Sequence, residues 1–304
     1  MSLIEMAQKE FYQEKKFEGL TANSLECYTI FFKTLNEWLS TQGIEQLEDL
    51  SPRVIKQFLQ YCIDERNNKP TSINSKLKML RTWSTWLLEE KIIEEDFTHK
   101  IKRMKQDTQP KMIQDSEIQR VLSHLRRVKR REDSFDSRRN YTLILFMIGT
   151  GCRLNEIENL DWSDIDLTGR LISIRTSKSR KAQSIPLSET LAKELLDWKY
   201  YLEQKFIKFP EPVFVCKNKK RITKNAIQLV FKRLKKNLDI QGDFSPHVMR
   251  NVYIKNLLKN GANLRQVQLL ARHSKIEVTR QYIGYFAHEL KDAIDEFNPL
   301  RDLL

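Results

Sequence analysis

The stretch HSKIEVTRQYIGY, residues 273–285, holds a histidine followed by two tyrosines, and each of these side chains could do chemistry. Tyr282 lies nine residues after His273, and Tyr285 lies three residues further on. A tyrosine hydroxyl has a pKa of about 10, so it becomes a nucleophile only beside a base or in a strongly positive site. Most tyrosines are ordinary core or surface residues, and this stretch alone favours that interpretation.

Three earlier stretches place further ionisable side chains near elements that could position them. In TGCRLNEIENL, Arg153 follows the end of an apolar helix and Glu156 lies one turn later. Lys178 belongs to the polar segment TSKSRKA, between the β-type runs LISIR and QSIPL, which together predict a hairpin. In SPHVMR, His247 and Arg250 are three residues apart just inside a predicted helix, so they share one face.

The composition narrows the class of protein. The 304 residues suffice for two domains, each with its own core. Lys and Arg number 53 against 40 Asp and Glu, and the net charge of +13 suits a polyanionic partner, either nucleic acid or an acidic membrane surface. No apolar run approaches the roughly 18 residues of a membrane span, and the N-terminus lacks a signal-peptide pattern. A cytoplasmic protein is therefore expected.

Several kinds of site are excluded by their missing motifs. The four cysteines form no CxxC pair, which favours reduced thiols over a disulfide or zinc framework. The sequence has no GxxxxGK[ST] for a nucleoside triphosphate and no HExxH for zinc. An activity without ATP, cofactor or protein-bound metal is expected.

Apolar periodicity predicts that the first hundred residues form about four helices. Thr21 is the predicted N-cap of TANSLECYTIFFKTLNEWLS, whose apolar residues recur every three or four positions along one face. Ser51-Pro52 marks the start of another helix. In PTSINSKLKMLRTWSTWLLEE, the cations Lys76, Lys78 and Arg81 point outward. A solvated charged face is the ordinary interpretation of these cations, and DNA binding is the alternative.

The basic stretch HKIKRMKQDTQPKM predicts a linker over residues 99–114. Its cations include Lys102, Arg103 and Lys105, which would suit a phosphate backbone. The predicted organisation is a helical domain over residues 1–98, this linker, a mixed domain over residues 115–286, and a C-terminal helix or tail over residues 287–304. In the mixed domain, VFVC at residues 213–216 predicts a third strand beside the hairpin.

Taken in order, these motifs resemble those of the tyrosine recombinases, the phage-integrase and Xer-like family of site-specific DNA recombinases. The set comprises an arginine in a TGxRxxE-like segment, a hairpin lysine, HxxR, a later histidine, and a tyrosine nine residues after it. Each motif is weak alone, but the ordered set is specific. The resemblance covers essentially the whole chain, as a helical core-binding domain, a linker and a catalytic domain. The resemblance implies a mostly α fold with a small β-sheet, in which a SAM-like core-binding domain and an α+β catalytic domain clamp DNA without a metal or cofactor.

The same resemblance implies the chemistry at a DNA phosphodiester. Tyr282 would attack the phosphorus and form a 3′-phosphotyrosine, leaving a free 5′-hydroxyl. Arg153 and Arg250 would clamp the non-bridging oxygens, because guanidinium is always charged and can bind two oxygens at once. Tyr285, one helical turn beyond Tyr282, would pack near the site.

The remaining roles also follow from the resemblance. His247 would act mainly as the base, and Lys178 would protonate the departing 5′-oxygen, with Lys181 as the competing general acid. His273 would add a hydrogen bond to the phosphate. Glu156 would orient the arginine and histidine from behind.

Some positions depart from the family pattern. Ala271-Arg272 replaces a common Leu-Gly, and because glycine would suit a left-handed helix cap, Arg272 implies a different turn or some strain. Asn251 stands where a further histidine is common, and Ser177 and Ser179 occupy the lysine loop where glycine is usual. These departures argue against a standard chromosomal Xer protein.

The expected function is site-specific recombination for a mobile element, by integration, excision or cointegrate resolution. The expected partner is double-stranded DNA with short inverted-repeat sites. The protein is expected to be a monomer when free or a dimer on one site, and to form a homo-tetramer on DNA. It is expected to associate with the nucleoid when bound to DNA. An apolar stripe at Leu290, Ile294 and Phe297 predicts a C-terminal helix that docks on a neighbouring protomer. The alternatives are Xer-type chromosome or plasmid dimer resolution, a type IB topoisomerase, or a catalytically silent DNA-binding protein.

Overall fold

The computed structural model describes residues 2–106, 109–174 and 183–283, and the chain divides into two units, Met1–Asp107 and Thr108–Leu304. The described part of the first unit forms four α-helices and a short 3-10 turn at Leu47–Asp49. The helices are α1 (Leu3–Phe17), α2 (Ala22–Thr41), α3 (Pro52–Asp64) and α4 (Pro70–Glu89).

The predicted helix starts in the first unit are confirmed. The Thr21 hydroxyl accepts a hydrogen bond from the backbone N–H of Ser24 at the start of α2. Ser51 does the same for Val54 at the start of α3, where Pro52 occupies the first turn. These side chains stabilise the helix ends because the first N–H groups of a helix have no partner within it.

The segment after α4 packs against the first unit. Phe97 and Ile101 are buried in its core. The Asn74 side chain on α4 forms hydrogen bonds with both the N–H and the carbonyl of Met104, each at 2.9 Å. Residues 101–104 of the predicted linker are thus held by the first unit. The exact domain boundaries remain a prediction.

The described part of the second unit is mostly helical around a small sheet. Its helices are α5 (Asp115–Glu132), α6 (Phe135–Thr150), α7 (Leu154–Glu158), α8 (Glu189–Lys205), α9 (Lys224–Asn237), α10 (Pro246–Lys259), α11 (Leu264–Ala271) and α12 (Ile276–Arg280). Its strands are β1 (Ile165–Asp166), β2 (Leu171–Ile174) and β3 (Gln183–Pro186). The predicted helices do not include α8, although Leu191, Leu195, Trp198 and Leu202 give it a buried stripe.

The three strands form one antiparallel sheet in the order β1-β2-β3. The hairpin prediction is confirmed, with Ile172 opposite Ile185 and Ile174 opposite Gln183. The prediction that VFVC supplies the third strand is wrong, because β1 pairs with β2 at that edge. Val215 forms only an isolated bridge with Arg221. An apolar run of this length indicates burial, but it does not indicate which neighbouring segment forms hydrogen bonds with its backbone.

The prediction of a mostly α-helical chain with a small β-sheet is confirmed. Both units have their own buried apolar core, and α6 and α10, two of the elements next to the candidate site, belong to the core of the second unit. Across the described ranges, no helix combines the length and the apolar character needed to cross a membrane.

Candidate active site

The turn between α6 and α7 presents Arg153. Helix α6 ends at Thr150, and Gly151 turns the chain with φ 57°, a left-handed conformation that glycine adopts readily. A Cβ at Gly151 would lie 2.3 Å from Cδ1 of Tyr253, so this position has no room for a side chain. Arg153 then precedes the first turn of α7 with its side chain 46% exposed, available to a ligand.

The Glu156 carboxylate fixes Arg153 from behind. It accepts hydrogen bonds from the backbone N–H and the guanidinium of Arg153, both at 2.8 Å, and from the guanidinium of Arg272 at 2.7 Å. Burial raises the pKa of Glu156, but the charge on Arg272 and the hydrogen bonds from Arg153 outweigh burial and lower it below its ordinary value. Glu156 therefore stays ionised and holds Arg153 in place. Among the described residues it makes no hydrogen bond to a histidine.

Arg250 on α10 is 5% exposed and reaches the same place from the core side. Its guanidinium donates to the carbonyl of Gly151 at 2.6 Å and to the carbonyl of Ala271. Burial, together with the charges on Arg153 and Arg272, lowers the pKa of Arg250 to about 10, so it remains charged at neutral pH. A guanidinium has five N–H donors, and these two carbonyls leave others to face a ligand.

One cavity of about 380 Å³ connects three of the predicted residues, Arg153, His247 and Arg250. It is also lined by Cys152, Leu154, Gln228, Ser245 and Pro246. Partial burial and the positive charges on Arg250 and Lys111 lower the pKa of His247, so its imidazole is neutral at pH 7 and can accept a proton. The shared cavity agrees with the prediction that His247 and Arg250 lie on one face of α10.

His273 follows α11 and is held by α12. Its Nδ1 lies 2.9 Å from the hydroxyl oxygen of Thr279. Burial and the charges on Arg250, Arg153 and Arg272 lower the pKa of His273 to about 4, so the ring is neutral. In the tautomer in which Thr279 donates to Nδ1, the other nitrogen carries the proton and can donate to an anion.

Tyr282 is buried, and its hydroxyl is bound by Asn251; the residues that line the cavity do not include these two. The side chain belongs to the same apolar cluster as Tyr253 and is 5% exposed. Its hydroxyl donates to Oδ1 of Asn251 at 2.7 Å, and Asn251 is fully buried. The Asn251 amide in turn donates to the carbonyl of Lys111 at 2.8 Å. Tyr282 also lies close enough to Arg250 to influence its pKa. In this state the Tyr282 hydroxyl is held away from solvent.

Several predicted residues lie outside the described ranges. They are Lys178 and its competitor Lys181, with Ser177 and Ser179, between β2 and β3, and Tyr285 with the C-terminal segment 287–304. The described strands β2 and β3 flank the lysine loop in sequence.

The cations predicted to bind DNA are brought together in the first unit. Lys102, Arg103 and Lys105 are exposed, and their segment is held along α4 by the Asn74 contact with Met104. On α4, Lys78 is exposed, whereas Lys76 and Arg81 are partly buried.

Arg81 has a structural contact that the sequence did not predict. Its guanidinium donates to the carbonyl of Ile101, so one of its donors holds the segment in place. Its expected outward orientation therefore holds only in part.

Three residues of the site were not predicted to take part in it. Asn251 and Arg272 drew notice only as departures from the family pattern, yet one binds the Tyr282 hydroxyl and the other binds Glu156. Gln228 on α9 lines the cavity with the two arginines. No spacing in the sequence indicates these contacts, since their partners lie 31 and 116 residues away for Asn251 and Arg272.

Comparison with known proteins finds family matches in both units of the chain. Residues 111–288 match the phage integrase family, and residues 2–104 match the phage integrase SAM-like domain. The tyrosine recombinase XerD of Staphylococcus saprophyticus is 25% identical over 293 residues, covering 95% of this chain and 96% of the relative.

Two solved structures share the fold. The integrase of transposon Tn1549 in complex with transposon right end DNA aligns with a TM-score of 0.75 and 17% identity, covering 93% of this chain and 94% of that one. A lambda integrase tetramer bound to a Holliday junction aligns with a TM-score of 0.73 and 17% identity, covering 90% and 77%.

The family match covers the unit that contains the candidate site, and the SAM-like match covers the helical first unit. The resemblance drawn from the ordered motifs is therefore confirmed. The chain belongs to the phage integrase family, and it is a tyrosine recombinase, a site-specific DNA recombinase that cuts and rejoins strands.

Proposed function

We propose that this recombinase serves a mobile element and acts on double-stranded DNA at short inverted-repeat sites. The main observation in favour of strand cleavage at this site is the cavity that Arg153, His247 and Arg250 line together. The departures at Asn251 and Arg272 support a role apart from the standard chromosomal Xer proteins.

In the first chemical step, Tyr282 attacks the phosphorus of the scissile phosphodiester. The bond from phosphorus to the 5′-oxygen breaks, and a 3′-phosphotyrosine forms. Arg153 and Arg250 stabilise the additional negative charge on the non-bridging oxygens in the transition state, and His273 donates a further hydrogen bond. The 5′-hydroxyl of another strand then attacks the tyrosyl ester, releases Tyr282 and rejoins the DNA. One ester replaces another at each step, so no nucleoside triphosphate is needed.

Two proton transfers accompany the first step. His247 accepts the proton of the Tyr282 hydroxyl, which suits its lowered pKa and its neutral state. Lys178 gives a proton to the departing 5′-oxygen, with Lys181 as the competing donor. Before the attack, the Tyr282 hydroxyl must give up its hydrogen bond to Asn251.

Both units contact DNA in this proposal. The exposed cations Lys78, Lys102, Arg103 and Lys105 of the first unit support phosphate binding. A homo-tetramer is the proposed form on paired sites, supported by the likeness in fold to the lambda integrase tetramer bound to a Holliday junction.

The chemistry can be tested by trapping the covalent intermediate. Adducts between the wild-type chain and its host DNA would be recovered and sequenced, and a nicked suicide duplex would be built on the recovered site. Wild type and Tyr285→Phe should form the adduct, whereas Tyr282→Phe should bind this duplex without becoming linked to it. An adduct with Tyr282→Phe and none with Tyr285→Phe would show that Tyr285 is the nucleophile.

Xer-type dimer resolution is the second candidate, favoured by the identity to XerD along nearly the whole chain. The same adduct mapping separates the two. Adducts at the ends of an element that carries the gene support the mobile-element role. Adducts confined to one chromosomal locus, unlinked to the gene or to repeats, support dimer resolution.

A further inference from the structure

Arg272 adopts a backbone conformation that is unusual for a buried side chain. It caps the C-terminus of α11 with φ 56° and ψ 48°, in the left-handed region where glycine fits without strain and an L-residue does not. Eight non-glycine residues of the described chain have positive φ, and Arg272 is the buried one among them. The other seven are exposed and can turn their side chains to solvent. The environment of Arg272 must therefore stabilise its side chain where it is.

That environment is the back of the candidate active site. The Arg272 side chain is 2% exposed and forms an ion pair with Glu156 at 2.7 Å. Its second terminal nitrogen donates to the carbonyl of Leu270 at 3.2 Å. Its Nε is buried without a hydrogen-bond partner within the described residues. A buried guanidinium with an incomplete set of partners is expensive for folding, which indicates a role other than stability.

The turn at Arg272 also presents its backbone to both arginines of the cavity. The carbonyl of Arg272 accepts a hydrogen bond from Arg153 at 3.0 Å, and the preceding carbonyl of Ala271 accepts one from Arg250. The left-handed cap thus holds two successive carbonyls toward two guanidiniums. The Arg272 side chain and the Arg272 carbonyl act on Arg153 by separate routes, one of them through Glu156.

Charge gives the side chain a second effect. Glu156 binds both Arg153 and Arg272, so its single negative charge is shared between two cations. Without Arg272, the carboxylate would be paired with Arg153 alone and would compete with a phosphate for it. With Arg272 present, the cluster of Arg153, Arg250, Arg272 and Glu156 keeps a surplus of positive charge at the cavity.

We propose that Arg272 is a positioning residue, which holds Glu156 and Arg153 in the arrangement that receives the scissile phosphate and keeps the positive charge of Arg153 available to it. This rests on the proposed function of the site. Arg272 itself lies behind the cavity and acts through the residues that line it.

The test compares Arg272→Gly, Arg272→Asn and Arg272→Lys in the full chain. Glycine and asparagine both accept the left-handed cap but lack the guanidinium. If Arg272 were only a strained cap, these two variants would cleave as fast as wild type and unfold at higher urea concentration. The proposal instead predicts single-turnover cleavage of the suicide duplex that is slower by about 10-fold to 100-fold, the scale of a misplaced catalytic group. Arg272→Lys, which keeps the charge, should recover part of the rate.

Arg170→Gly is the matched control, because Arg170 has φ 53° at an exposed turn between β1 and β2. It relieves the same kind of strain away from the site and should leave the cleavage rate unchanged. A Glu156→Gln variant supplies the coupling measurement: adding Arg272→Gly to it should slow cleavage by less than the product of the two separate effects. If the two substitutions slow cleavage independently, so that their factors multiply in the double variant, Arg272 does not act through Glu156.

The outcomes also separate this proposal from the proposed function. Wild-type chain that forms no covalent adduct with DNA would overturn both. Wild type that forms the adduct, with Arg272→Gly and Arg272→Asn doing so at an equal rate, would overturn the role of Arg272 and leave the recombinase chemistry intact.

Discussion

Replacing Tyr282 by phenylalanine should destabilise the second unit, although this substitution removes only one oxygen atom. The hydroxyl donates to Asn251 at 2.7 Å, and both side chains are buried. Phenylalanine would leave Oδ1 of Asn251 without this donor in a place that water does not reach. An orphaned buried acceptor costs about 1 to 3 kcal/mol. We expect about 1 to 2 kcal/mol here, because the Asn251 amide keeps its bond to the Lys111 carbonyl.

Hydrogen exchange measured by mass spectrometry can locate this effect. Amides of α10 and α11 should exchange about 5-fold to 30-fold faster in Tyr282→Phe, the factor that corresponds to 1 to 2 kcal/mol. Helices α1–α4 of the same chain provide the internal reference. Tyr253→Phe is the matched control, since Tyr253 is a buried tyrosine of the same cluster whose hydroxyl makes no hydrogen bond within the described chain.

A double-mutant cycle tests the pairing itself. Asn251→Leu removes the acceptor, and the double variant with Tyr282→Phe has neither partner of this bond. The two changes together should be less destabilising than their sum by about 1 kcal/mol. Unchanged exchange in Tyr282→Phe, or strictly additive effects, would show that the tyrosine is not held by Asn251 in solution.

Three further predictions concern charge. Folding lowers the pKa of His273 from 6.5 to about 4, so the unfolded chain binds more protons than the folded chain between these pH values. Stability should therefore decline as pH falls from about 6.5 to 4. Urea midpoints measured against pH should show this decline, and His273→Asn should flatten it. Glu156→Ala leaves Arg272 buried without its ion pair and should cost about 3 kcal/mol or more in urea unfolding, while a loss below 1 kcal/mol would contradict the buried pair. DNA affinity should fall steeply with salt, and Lys78→Ala should reduce the slope of log K against log salt by about 0.9, as measured by fluorescence anisotropy, if Lys78 neutralises one phosphate.

Local sequence signals determined most of the secondary structure. The caps at Thr21 and Ser51 act within three residues of themselves, so they could be recognised without knowledge of the fold. The apolar spacing in α2 likewise predicted its buried face, because helix geometry alone decides which residues share a side. The same spacing is present in α8, so the information for that helix was in the sequence.

The ordered motifs also determined the family, because residue types and their order along the chain are properties of the sequence. They could not determine the sheet edge: VFVC has strand-like composition, but tertiary packing gives that edge to β1 and buries Val215 elsewhere. Strand pairing depends on which segments meet in the folded chain, and the composition of a segment does not say which other segment it will meet.

The tertiary structure alone decided what surrounds each predicted site residue. Asn251 meets Tyr282 because α10 and the segment after α12 pack on the same core. Arg272 meets Glu156 across 116 residues because the cap of α11 lies against the first turn of α7. Such contacts depend on how helices separated in sequence pack together, and a spacing rule reaches only a few residues along the chain. The sequence could therefore identify the groups that do the chemistry, and packing decided which groups hold them in place.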